Sequence, residues 1–153
     1  MRKFQSNTGI MEPDRVTCVP QLHKSGHCVF GGDLVIWVAG LYIATCEITI
    51  DPCPSCQDPL VVLDIYENLQ SKTILATRAI NSADLVNQPC SFSLEFSAKV
   101  GQRVEFRIFW AGQCRLSVSR VTISRLGVSR LRSSAIGSKS DAAEDETAFS
   151  EKR

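Results

Sequence analysis

The chain has 153 residues, with 44% hydrophobic and 22% charged side chains, so one ordinary globular domain fits its length and composition. Its 17 basic and 16 acidic residues leave a formal charge of +1. That balance supplies no field for non-specific nucleic-acid binding, which rests on many Lys and Arg contacts to phosphate. No apolar run approaches the length of a membrane span. Met1-Arg2-Lys3-Phe4-Gln5 is basic, but no apolar stretch follows it, so no signal peptide is read and a cytoplasmic location is expected.

Residues 1–20 are polar, contain Gly9, Pro13 and Pro20, and lack periodicity. They read as an irregular arm. The next block, 21–126, reads as one β domain, because short strand-like runs follow one another at 27–30, 34–38, 41–50, 60–66, 73–79, 91–97, 103–110 and 114–124. Ala83-Asp84-Leu85-Val86 suggests a single helical turn. About eight strands with turns between them and no long helical pattern predict an all-β antiparallel sandwich of jelly-roll type. From 127 to 153 serines and mixed charges dominate, a composition that buries too little surface to offset ordering entropy, so a flexible tail is expected.

Alternation assigns faces. Phe92, Leu94 and Phe96 oppose Ser91, Ser93, Glu95 and Ser97. Val104, Phe106, Ile108 and Trp110 oppose Arg103, Glu105, Arg107 and Phe109. Leu63 and Ile65 oppose Asp64 and Tyr66. The apolar sets point to one core. In the last run Leu116 and Val118 are out of step with Val121 and Ile123, which predicts a bulge near Ser119 or Arg120. Trp110 falls on the apolar parity and Trp37 sits in an unbroken apolar run, so both are expected in the core.

Seven cysteines are present, and without an export signal free thiols are the default. Cys46 reads as a small buried hydrophobe. Cys53-Pro54-Ser55-Cys56 lies in a Pro-rich loop with no helix after it, so neither a low-pKa redox pair nor half of a zinc site is expected. The two cysteines read as free or mutually bonded. No metal and no cofactor are expected.

Chemistry is weakly signalled. Two histidines, His23 and His27, are few for acid–base or metal work. The chain contains no GxSxG, HExxH or Gly-rich phosphate loop. A glycosidase built on Asp64 and Glu105 would need a deep cleft, which a sandwich this small rarely forms. The expectation is therefore that the chain is not an enzyme. The outward set Asp64, Tyr66, Glu105, Arg107 and Phe109 combines aromatic surfaces with planar charged groups, the composition of a sugar-binding face. Thr45, Glu47 and Thr49 could extend it. The same alternation is equally what a cross-strand charge network on a solvated sheet gives.

Several stretches carry a resemblance. These are Gly31-Gly32-Asp33, then Val38-Ala39-Gly40-Leu41-Tyr42, Val62-Leu63-Asp64-Ile65-Tyr66 and Ile74-Leu75-Ala76-Thr77-Arg78. Next comes Val104-Glu105-Phe106-Arg107-Ile108-Phe109-Trp110-Ala111-Gly112, followed by the run 116–123. In this order they resemble bacterial jelly-roll modules attached to glycosyltransferases and methyltransferases of surface-polysaccharide synthesis, over about residues 25–124. The chain departs at Gly32-Asp33, where such modules more often carry Pro-Tyr. The resemblance implies a non-catalytic carbohydrate-binding module for a cell-surface polysaccharide or its precursor, with a glycan and a protein partner such as a glycosyltransferase as expected partners. The alternative is a protein-interaction or assembly module that uses an exposed sheet face.

Overall fold

The structure is a computed structural model and describes residues 4–51 and 54–127. It is all-β, with two antiparallel sheets packed as a sandwich around one core. The strands are β1 (Phe4–Gln5), β2 (Ile10–Met11), β3 (Val16–Cys18), β4 (Gly26–Gly31), β5 (Leu34–Val35), β6 (Gly40–Ile50), β7 (Val61–Glu67), β8 (Ile74–Ile80), β9 (Cys90–Ala98), β10 (Arg103–Trp110) and β11 (Leu116–Arg125). One sheet runs β1-β4-β10-β7-β8, with β5 also pairing β10; the other runs β2-β3-β11-β6-β9. A 3-10 turn, Ser82–Asp84, stands where a helical turn was expected.

The alternation predicted the core well. Phe92, Leu94 and Phe96 of β9 and Val104, Phe106, Ile108 and Trp110 of β10 project into the shared core from opposite sheets, and all are buried. The indole N–H of Trp110 donates to the Cys114 carbonyl at 2.8 Å, so this large ring is buried with its donor satisfied. The expected bulge is present: the β6–β11 register shifts between Val118 and Arg120, returning Val121 and Ile123 to the inner face.

Two expectations are corrected. Residues 4–18 are not an irregular arm, because they supply β1, β2 and β3, and Val16 and Cys18 enter the core. Strands of two or three residues are too short to show a period. Gly9 makes the approach of β2 to β3 possible: its φ is +91°, and a Cβ there would lie 2.6 Å from the Cys18 Sγ. Trp37 is not a core residue either; it is 79% exposed. β5 ends at Val35, and Ile36 takes the interior place, tied to the β9–β10 turn by Ile36 N–H to Gln102 O and Gly101 N–H to Ile36 O. An unbroken apolar run carries no alternation to distinguish these neighbours.

Cys18, Cys28, Cys46, Cys90 and Cys114 are buried free thiols, and Cys56 is disulfide-bonded. Cys53 and the expected tail from 128 onward lie outside the described residues.

Candidate functional site

β7 and β10 are adjacent and antiparallel, with Arg107 opposite Asp64, Glu105 opposite Tyr66 and Phe109 opposite Val62. The alternation of both strands then places Asp64, Tyr66, Glu105, Arg107 and Phe109 on one outer face. All five residues singled out from the sequence are brought together. Thr45, Glu47 and Thr49 do not extend this face. They lie on β6, in the other sheet, where Thr45 bonds the Ser93 hydroxyl at 3.0 Å and Glu47 faces Arg120 at 3.8 Å. Alternation reports which side of its own sheet a residue takes, not which sheet it belongs to.

The centre of the face is a forked ion pair. Arg107 Nε donates to Asp64 Oδ1 at 2.6 Å, and a terminal nitrogen donates to Oδ2 at 3.1 Å. The two side chains are only 20% and 9% exposed. The guanidinium also lies 4.1 Å from the centre of the Tyr66 ring, stacked on one of its faces. Phe109 keeps 38% of its surface open and meets His27 of β4 edge-on at 5.6 Å.

A second polar cluster adjoins this pair at the β5 end. Asn68, just beyond β7, donates from Nδ2 to Glu105 Oε1 at 2.9 Å and to Asp33 Oδ1 at 3.0 Å. Asp33 also faces Arg103 at 3.6 Å. Two polar atoms here are buried without a hydrogen-bond partner, the acceptor Asn68 Oδ1 and the donor Arg103 Nε. Sequence reasoning placed Arg103 on the outward parity without adding it to the site, noted Asp33 only as a departure from a pattern, and missed Asn68, which lies past the end of the strand.

Glu67 occupies the inner parity of β7 and is buried. Its carboxylate accepts N–H bonds from Leu69, Gln70, Ser71 and Lys72, and the Ser71 hydroxyl. The Gln70 N–H leads these donors in holding its pKa down to about 2. This residue shapes the β7–β8 turn that carries Asn68.

Cavities open elsewhere on the molecule. One of about 590 Å³ opens between Met11, Val16, Val29, Val118, Val121 and Ile123, with Glu12, Arg15 and Arg120 also lining it. None of the five face residues borders it. Among the described residues, no cluster of three or more His, Cys, Asp or Glu is arranged to hold a metal ion, and no helix is long and apolar enough to cross a membrane. Comparison with known proteins matches the chain to no family model and to no curated protein.

Proposed function

We propose that the protein is a non-catalytic carbohydrate-binding module of jelly-roll type, serving a cell-surface polysaccharide or its precursor. Its strand distribution supports the jelly-roll reading: β3, β6, β9 and β11 fall in one sheet, and β4, β7, β8 and β10 in the other. The observation that carries the binding reading is the gathering of Asp64, Tyr66, Glu105, Arg107 and Phe109 on one outer face with the Phe109 ring left open. Beside it the Asn68 amide and the Asp33 and Glu105 carboxylates form a set of planar polar groups suited to sugar hydroxyls. Phe109 supplies an open ring for the C–H face of a sugar, and Arg107 and Tyr66 supply a rigid planar floor. The face carries Asp33, Asp64 and Glu105 against Arg103 and Arg107, so it favours neutral sugars over uronates.

The test is a glycan array with the wild-type chain and the Asn68→Ala and Phe109→Ala variants, each checked for its β-sheet circular dichroism. Selective binding to neutral glycans is expected, with each variant about tenfold weaker, the scale of one lost stacking or hydrogen-bonding contact. A blank array with a folded sample overturns the reading, and co-purification of a protein partner would then favour an assembly module.

A further inference from the structure

The end of the molecule where β10 begins carries an apolar feature the sugar face does not use. The loops 36–39, 68–73 and 99–102 lie side by side where β10 begins. Ile36 and the 101–102 turn exchange backbone bonds of 2.8 and 2.9 Å, and the Asn68 N–H donates to the Arg103 carbonyl at 3.0 Å. From these loops Trp37 stands 79% exposed, and Val38, Leu69 and Val100 are each at least half exposed. Trp37 is not left out by slack in its loop. The Val38 carbonyl accepts from the Tyr42 hydroxyl at 2.6 Å and the Ala39 carbonyl accepts from Arg125 at 3.1 Å, so the backbone is fastened while the side chains face outward.

The charge on these three loops is of one sign, and the neighbouring carboxylate, Asp33, is bonded to Asn68 and faces Arg103 at 3.6 Å. Residues 36–39, 68–73 and 99–102 contain Lys72 and Lys99 and no carboxylate, and Arg125 stands at the loop base. Glu67 below them is buried in its own N–H cradle. The opposite end is mixed, with Asp51, Asp58 and Asp84 beside Lys24 and Arg115 in its connections. Leu22 and Val86 are exposed there, but singly and in polar loops. Apolar tips led by a Trp above a basic ring are the chemistry of a group that enters the headgroup zone of a bilayer. Trp suits that boundary, and each Lys or Arg near an anionic leaflet adds about a fivefold gain in binding.

We propose that this end of the molecule docks onto an anionic membrane surface, with Trp37, Val38, Leu69 and Val100 entering the interface and Lys72, Lys99 and Arg125 meeting lipid phosphates. The docking is peripheral and leaves the β7–β10 face open to solvent. It does not rest on the carbohydrate reading, although Asn68 of the sugar face heads the loop that carries Leu69.

The experiment is co-sedimentation of the full chain with vesicles of phosphatidylcholine mixed with phosphatidylglycerol, against vesicles of phosphatidylcholine alone. Binding to the mixed vesicles, weakened by added salt and much reduced on the neutral ones, is expected. Trp37→Ala should lower the partition about tenfold, and Lys72→Gln with Lys99→Gln about twenty-fold. Val86→Ala, at the opposite end, should leave it unchanged. Absence of binding to the mixed vesicles overturns the proposal. So does binding that neither Trp37→Ala nor the lysine pair reduces. If Trp37→Ala instead converts an oligomer to a monomer in solution without altering sedimentation with vesicles, the surface is a protein interface and the lipid proposal fails.

Discussion

Asp64 and Arg107 show how closely a structural and a binding role can be joined in one pair of side chains. With the carboxylate 9% exposed, it depends on the guanidinium for its solvation. Truncating one partner of such a pair leaves an uncompensated charge, whereas replacing both by apolar groups removes the requirement. Arg107→Ala should therefore cost about 3 kcal/mol of folding stability, measured by denaturant unfolding, while Arg107→Met combined with Asp64→Leu should recover most of it. Equal losses in the single and double variants would show that the pair is not coupled in this way. For the same reason Asn68 and Phe109, rather than Arg107, are the residues on which sugar binding is best tested. The outward parity of both residues was legible in the sequence, while the adjacency of β7 and β10 that pairs them was not. Asn68 was not legible, because a residue one step past a strand has no parity to read.

At the scale of the element, the β7–β8 turn is organised by one carboxylate. Glu67 takes the inner parity of β7, where an apolar residue would ordinarily sit, and its oxygens gather the N–H groups of the turn. Its pKa falls from the ordinary 4.5 to about 2. A group depressed on folding contributes stability that is fully present above the unfolded value and lost as pH falls through the folded one. Acid unfolding should accordingly steepen between about pH 4.5 and pH 2, and Glu67→Gln should flatten that part of the stability–pH curve as well as lowering stability at pH 7. An unaltered curve in the variant would remove Glu67 as the source. The strands themselves were legible to within a residue or two wherever they alternate, as β9 and β10 do. β3 escaped notice because it is three residues long. β5 was overextended because its apolar run continues past the end of pairing, through Ile36 into the exposed Trp37 and Val38.

Across the whole molecule, the two sheets share a core into which Cys18, Cys28, Cys46, Cys90 and Cys114 all project as free thiols. Burial pushes Cys46 up to about 12. Cys28 is pushed up by its hydrogen bond with Cys18 and by burial, while the same bond lowers Cys18. Since the thiolate is the reactive form, native protein should react with Ellman's reagent slowly, and these five thiols should become titratable together as the core opens in denaturant. Rapid labelling under native conditions would mean that the sandwich opens locally around the thiol that reacts. The sandwich class was readable from composition and spacing. The sheet to which each strand belongs was not, because that depends on pairings distant in sequence, and so Thr45, Glu47 and Thr49 were assigned to the wrong face.

The two tryptophans divide between extremes of environment, Trp110 with no exposed surface and Trp37 almost wholly in solvent. The protein thus carries two optical reporters that need no label. Trp110 should emit toward the blue and resist iodide, reporting on core integrity. Trp37 should emit toward the red and be quenched freely, reporting on whatever the 36–39 loop touches. A Trp37→Phe variant would leave a single emitter for folding, and the difference between the two spectra would isolate the loop's own signal.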